Sequence, residues 1–232
     1  MAVKVLFLDR DGTLIEEPDD FQVDELSKVR LVPGVIPALR ELADNGYRFV
    51  MVSNQDGLGT DSFPQAQFDA CQNHVLNLFK TQGVDFDEIF ICPHLPADNC
   101  ACRKPRTGLL TRYLAANAID MRSSAVIGDR ATDLQLAEGI GVPGLLINCD
   151  DDDSLGWPEI VEQLCHADRV ATVERNTNET RIAVRVNLDS TTSTRIDSGI
   201  GFYDHMLEQI SRHGGFGLTL SCQGDLDVDE HH

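Results

Sequence analysis

Hydrophobic residues in the first 150 or so positions come in short unbroken runs, each followed by a stretch with helical spacing. Val3–Leu8 is the first such run, and it predicts a strand buried on both faces, as in a parallel sheet. Pro33-Gly34 opens a helical stretch through Glu41, and Asn45-Gly46 carries a C-terminal stop signal. Phe49–Val52 predicts a second strand, ending in Ser53-Asn54-Gln55. A longer helix is expected from about Gln65 to Thr81, with Phe68, Val75, Leu76 and Phe79 facing a core. Then follow a strand at Ile89–Cys92, a helix at Leu109–Ala116 and a strand at Ala125–Ile127 that ends in Gly128-Asp129. A short helix at Leu134–Glu138 and a fifth strand at Leu145–Ile147 complete the series. This rhythm predicts an α/β fold, a three-layer doubly wound parallel sheet with helices on both faces.

The pattern then changes. The acidic run Asp150–Asp153, Pro158 and a short helical stretch to about His166 read as a linker over about 150–167, its charge a solvated one. It would join a first domain over 1–166 to a second over 168–232. In the second, Ile182, Val184, Val186 and Leu188 alternate with polar residues, as in a half-buried antiparallel strand. Gly199–Gly201 leads into a helix carrying Phe202, Met206, Leu207 and Ile210, and Leu218 and Leu220 alternate again. About 65 residues make a marginal α+β domain.

Bulk composition narrows the function. A content of 42% hydrophobic residues suffices for a core. The net charge of -19 argues against nucleic acid as a partner, because a phosphate backbone demands a basic face. No stretch approaches the ~18 apolar residues that span a bilayer, so no membrane partner is expected. The first strand starts almost at the N-terminus, which leaves no room for a signal peptide and makes a cytoplasmic location the expectation. Seven cysteines in such a chain do not suggest a disulfide framework.

The chemistry starts where the first strand ends, at Asp9-Arg10-Asp11-Gly12-Thr13. Strand carboxyl ends face the ligand crevice of open α/β sheets. Two carboxylates one residue apart repel unless a proton or cation offsets them, and a hard ion such as Mg2+ would do so. Asp9 could then attack phosphorus while Asp11 handles protons. Ser53 after the second strand, Lys104 in Arg103-Lys104-Pro105, and Asp129 and Asp133 in Gly128-Asp129-Arg130-Ala131-Thr132-Asp133 complete a set of separated polar elements. In order and content the set resembles the haloacid dehalogenase superfamily of phosphatases over roughly residues 1–150. The resemblance implies Asp9 as nucleophile and Asp11 as acid and base. It implies Ser53, Asn54 and Lys104 as phosphate-binding residues, and Mg2+ held by Asp9, Asp129 and Asp11, the last through its backbone carbonyl. Asp133 would orient Lys104 or a metal-bound water.

Cys92-x-His94 followed by Cys100-x-Cys102 supplies three thiols and an imidazole, a closed set suited to structural Zn2+. The loop between has few core-forming side chains, and a metal staple there would fix Lys104 relative to Asp9. Histidinol-phosphate and heptose-bisphosphate phosphatases, both resembled here, share this kind of loop in place of a large cap.

Arg175-Asn176-Thr177-x-Glu179-Thr180, Gly199–Leu207, His213-Gly214-Gly215-Phe216 and the final His231-His232 resemble the first part of imidazoleglycerol-phosphate dehydratase. That family holds paired Mn2+, and His205, His231 and His232 match ligand positions, with Glu179 a substrate or proton-transfer residue. The rest of that domain is not in this sequence, so no dehydratase activity is expected of it. The two halves together resemble the bifunctional histidine-biosynthesis family, cut short. The resemblance implies hydrolysis of the small molecule L-histidinol phosphate. The acidic Glu16, Glu17, Asp19 and Asp20 would favour its cationic amine, and Glu17 and Arg103 are candidate substrate contacts. Complete dehydratases assemble into large shells, which half a domain is not expected to do, and a homo-oligomer is a separate partner expectation. The rival readings are a heptose-bisphosphate phosphatase and a catalytically silent, metal-stabilised fragment.

Overall fold

The computed structural model describes residues 2–147, 155–166, 169–177, 180–190 and 194–224. The chain divides into two compact units, Met1–His166 and Ala167–His232. The first is built on five strands, β1 (Lys4–Leu8), β2 (Tyr47–Asn54), β3 (Glu88–Cys92), β4 (Ala125–Gly128) and β5 (Gly144–Leu146), all parallel, in the order β3-β2-β1-β4-β5. Its helices are α1 (Val35–Asp44), α2 (Gln65–Thr81), α3 (Thr111–Ala116), α4 (Ala131–Ile140) and α5 (Trp157–Val161).

Alternation along β1 explains the layers. Leu6 and Leu8 point into one core with α1, α2 and α5, while Val5 and Phe7 point into another with α3 and α4. Apolar cores lie on both sides, so after Lys4 at its start β1 carries no polar side chain until the sheet ends at Asp9. Because β1 pairs with both β2 and β4, the chain reverses its winding there, which opens a crevice at the strand ends.

Some boundaries differ from expectation. Helix α4 begins at Ala131 rather than Leu134, because Asp133 in its first turn accepts a hydrogen bond from the Arg130 backbone N–H (3.2 Å) and caps a polar start that periodicity does not register. The stretch read as a linker contains α5, whose Trp157, Ile160 and Val161 are buried in the first unit's core. The Trp157 indole N–H donates to the Thr13 carbonyl (3.1 Å), tying α5 to the loop beside Asp11. That part of the chain is therefore core, which its acidic surroundings conceal.

The second unit is a four-stranded sheet of β6 (Val170–Asn176), β7 (Thr180–Asn187), β8 (Arg195–Asp197) and β9 (Gly217–Gly224), in the order β6-β7-β9-β8, with α6 (Gly201–Gly214). The β6–β7 and β7–β9 pairs are antiparallel, and β8–β9 is parallel. Ile182, Val184 and Val186 are half-buried while Arg181, Ala183 and Arg185 are exposed, as the alternation predicts. Leu188 lies past the strand end and is exposed. No described helix is long and apolar enough to cross a membrane.

Candidate active site

The β1 end delivers Asp9, whose backbone N–H donates to the Ile127 carbonyl (2.9 Å) and so brings Asp9 beside Asp129 at the end of β4. Gly12, at φ +74, makes the intervening turn, and any side chain there would collide with the Asp129 carboxylate. Lys104 is buried, its ammonium 2.8 Å from Asp9 and 2.7 Å from Asp133. Burial alone would lower its pKa, but the charges of Asp9 and Asp133 outweigh this and hold the ammonium above its ordinary range. Asp133, buried beneath Gly128, is pushed up to about 6 by burial and then by the Asp9 charge. Asp129 is pushed up to about 7 by the same two causes.

Asp11 stands apart from this group. Its carboxylate accepts hydrogen bonds from the Arg10 guanidinium (2.7 Å) and the Gln55 amide (2.5 Å). Burial nevertheless raises its pKa, against the pull of Arg10 and Gln55. The Gln55 amide also donates to the Ser53 hydroxyl (2.8 Å), so one side chain links the acid to the β2 terminus. Arg10 is fully buried, donates to the Gln72 side-chain Oε1 (2.8 Å) and lies over the Phe68 ring.

Neither Gln55 nor Arg10 is a candidate on the sequence alone. Arg10 does sit between two acids just past a strand buried on both faces, and a buried cation there needs an anionic partner. Asn54 and Lys104 exchange hydrogen bonds. The Lys104 backbone N–H donates to Asn54 Oδ1 (3.0 Å), and Asn54 Nδ2 donates to the Lys104 carbonyl (3.3 Å). Asn54 therefore holds Lys104 in place, a role beyond the phosphate contact expected of it.

Asp9, Asp11, Ser53, Asn54 and Lys104 line a cleft of about 390 Å3 together with Glu17, Phe21, Asp56, Arg103, Arg130 and Thr132. Glu17 is paired with Arg130 and Arg103 with Asp56, so both expected substrate contacts sit on the cleft wall with a charged partner already in place. Of the other acidic residues, Asp20 is held by Lys28 (2.6 Å), and Glu16 and Asp19 are exposed.

Two clusters among the described residues have the donor chemistry of metal sites. Asp9, Asp129 and Asp133 bring carboxylate oxygens within 4.8 Å of one another. Asp129 Oδ1 is buried without a hydrogen-bond partner, a costly arrangement that a hard cation would relieve. Cys92, His94, Cys100 and Cys102 form the other cluster. The Cys92 sulfur lies 3.3 Å from that of Cys102, 3.7 Å from that of Cys100 and 3.6 Å from His94 Nδ1. The edge of a tetrahedron of thiolates about a zinc ion is about 3.8 Å. Burial pushes the Cys92 thiol up to about 12, so a cation is needed to hold it as thiolate. His205 is exposed and belongs to neither cluster, while Glu179, His231 and His232 lie outside the described residues.

Comparison with known proteins follows this geometry. The family model for polynucleotide kinase 3 phosphatase matches residues 4–144, and that for imidazoleglycerol-phosphate dehydratase matches residues 198–232. A histidine biosynthesis bifunctional protein HisB from Actinobacillus pleuropneumoniae is 53% identical over 240 residues, covering 100% of this chain and 65% of its own length. The HisB protein of Legionella pneumophila (strain Lens) is 52% identical over 229 residues, covering 99% of this chain and 64% of its own. The chain belongs to the polynucleotide kinase 3 phosphatase family, and it is similar to bifunctional HisB proteins along its whole length. It spans under two thirds of the length of these curated relatives.

Among solved structures, the D,D-heptose 1,7-bisphosphate phosphatase of B. bronchiseptica, complexed with magnesium and phosphate, is 28% identical with a TM-score of 0.63. It covers 71% of this chain and 99% of that one. A protein from Mesorhizobium loti described as a HAD-like phosphatase is 25% identical with a TM-score of 0.60, over 70% of this chain and 86% of that one. The fold is thus the α/β, haloacid dehalogenase-like one expected from the sequence.

Proposed function

We propose that the first unit is a phosphomonoesterase that hydrolyses L-histidinol phosphate through an aspartyl-phosphate at Asp9. The observation that carries the substrate is the fusion. Similarity to HisB proteins runs through the dehydratase-like second unit, whereas the heptose-bisphosphate phosphatase resembles the first alone.

The chemistry follows from the cleft. An Asp9 oxygen attacks phosphorus as the bond to the ester oxygen breaks, and Asp11, with its raised pKa, gives the departing oxygen its proton. Lys104 and Ser53 hold the nonbridging oxygens as charge develops on them. Asp11 then takes a proton from water, which attacks the phosphoryl group and frees Asp9. Asp9 and Asp129, with the Asp11 carbonyl, would hold Mg2+, which supplies charge neutralisation at those same oxygens. Asp133 fixes Lys104. The catalytically silent reading is disfavoured because Asp9, Asp11, Ser53, Lys104 and Asp129 all line or adjoin one cleft.

The test is phosphate release from histidinol phosphate and from a heptose bisphosphate, side by side with Mg2+. A higher kcat/KM for histidinol phosphate supports the proposal, and a preference for the heptose ester rejects it.

Cys92, His94, Cys100 and Cys102 would hold structural Zn2+, which directs the following Arg103-Lys104 into the cleft. The purified chain should carry one zinc per molecule by elemental analysis. Cys102→Ser should lose it and lower kcat/KM by about 10–100-fold, the cost of misplacing a catalytic group by around 1 Å. Wild-type protein that is active and free of zinc would contradict this role. In a longer protein with a complete second domain, His205, His231 and His232 would contribute Mn2+ ligands and Glu179 would act on imidazole glycerol phosphate.

A further inference from the structure

Phe21 is unlike every other phenylalanine of the first unit. Phe7, Phe49, Phe63, Phe68 and Phe79 are buried and Phe86 and Phe90 half-buried, whereas Phe21 is 68% exposed. Its φ is +59, a left-handed conformation that a bulky residue adopts only when its surroundings impose it. The turn that imposes it is well held. The Phe21 N–H donates to the Pro18 carbonyl (2.9 Å), and the Lys28 ammonium binds Asp20 (2.6 Å), Asp24 (2.6 Å) and the Gln22 carbonyl (3.1 Å). The strained residue is therefore presented, and it is presented to the cleft that contains Asp9. The Arg130 guanidinium lies over the ring, 6.0 Å from its centre.

We propose that Phe21 is a specificity-determining platform on which a flat ring of the leaving group lies while Asp9 attacks the phosphate. This rests on the phosphatase reading above and names the part of the substrate that the cleft wall recognises. The charges around the ring favour such a ligand over a polyhydroxylated one. Glu17 is paired with Arg130 and Asp56 with Arg103, so the wall offers few unengaged polar groups to a chain of hydroxyls. An aromatic face needs no such partner, and it attracts aromatic and cationic rings by stacking. An imidazole fits both descriptions.

The test compares Phe21→Ala, Phe21→Leu and Phe21→Trp with the wild type on histidinol phosphate and phenyl phosphate, which carry rings, and on glycerol 3-phosphate, which does not. In the Ala and Leu variants KM for the ring-bearing esters should rise about tenfold with kcat little changed. The selectivity for phenyl over glycerol phosphate should fall by the same factor, and Trp should restore both. An equal effect on all three esters, or wild-type behaviour from the Leu variant, overturns the platform. If the wild type hydrolyses phenyl phosphate but not histidinol phosphate, the proposed substrate fails and the platform is judged on the phenyl ester. If KM for both ring-bearing esters is unmoved in Phe21→Ala, the platform fails whatever the substrate.

Discussion

Asp9→Asn lowers kcat for phosphate release by about four orders of magnitude or more, while leaving the fold intact. The size follows from the role, since removing a covalent nucleophile typically costs this much even when the rest of the site remains. The preserved fold follows from the neighbours. An Asn oxygen can still accept the Arg10 backbone N–H that Asp9 now accepts at 2.7 Å. Losing the Asp9 charge also removes a repulsion that raises both Asp129 and Asp133. Lys104 loses the Asp9 charge but keeps Asp133, 2.7 Å away, as its buried anionic partner. Thermal unfolding should therefore shift by no more than about 2–4 °C, the equivalent of ~1 kcal/mol in a chain of this size. Residual activity within tenfold of the wild type would exclude Asp9 as nucleophile.

Lys104→Met costs both activity and stability. Lys104 is the cation buried between Asp9 and Asp133, and removing one partner of a buried ionic cluster costs about 3–5 kcal/mol. That corresponds to a fall in Tm of roughly 6–20 °C. The pH dependence gives a sharper check in metal-free protein. Asp133 and Asp129 have folded pKa values raised to about 6 and about 7, from an ordinary 3.8. Between these limits the folded state binds more protons than the unfolded one, so each contributes stability that grows as pH falls through 7 and 6. With the cation gone the carboxylates depend on protons alone. The stability gap between Lys104→Met and the wild type should be widest near pH 8 and narrow toward pH 5, by thermal melts in EDTA. A gap independent of pH would mean that Lys104 contributes packing rather than charge.

Much of this site could be read from the sequence because its residues occupy strand ends. Asp9, Ser53 and Asp129 each follow a run of apolar residues, and a sheet buried on both faces must deliver the first polar residue beyond such a run to its edge. The cysteine and histidine cluster was legible for a related reason, since its four donor residues lie within eleven positions, from Cys92 to Cys102.

What escaped depends on distant parts of the chain. Gln72 receives Arg10 from 62 positions away, and Trp157 reaches Thr13 across 144. No local pattern reports such partners. Helix α5 was read as linker because five residues beside the acidic run of 150–153 are too few to show a helical period, although Trp157, Ile160 and Val161 are apolar. Strand β6 is exposed at every position and β8 has three residues, so neither shows a periodicity. Phe21 escaped because a lone aromatic among acidic residues gives no sign of its left-handed backbone.

The measurement that tests the central claim most directly is to trap the phosphoryl group. An Asp11→Asn variant mixed with phenyl phosphate should still transfer the phosphoryl group, because phenolate leaves without much help from an acid, but should fail to activate the water that releases it. A burst of phenol equal to the enzyme concentration, with the phosphoryl group found by peptide mapping on Asp9 after acid quenching, is the predicted result. Phenol released without a burst, or a phosphoryl group on any other residue, would contradict the account.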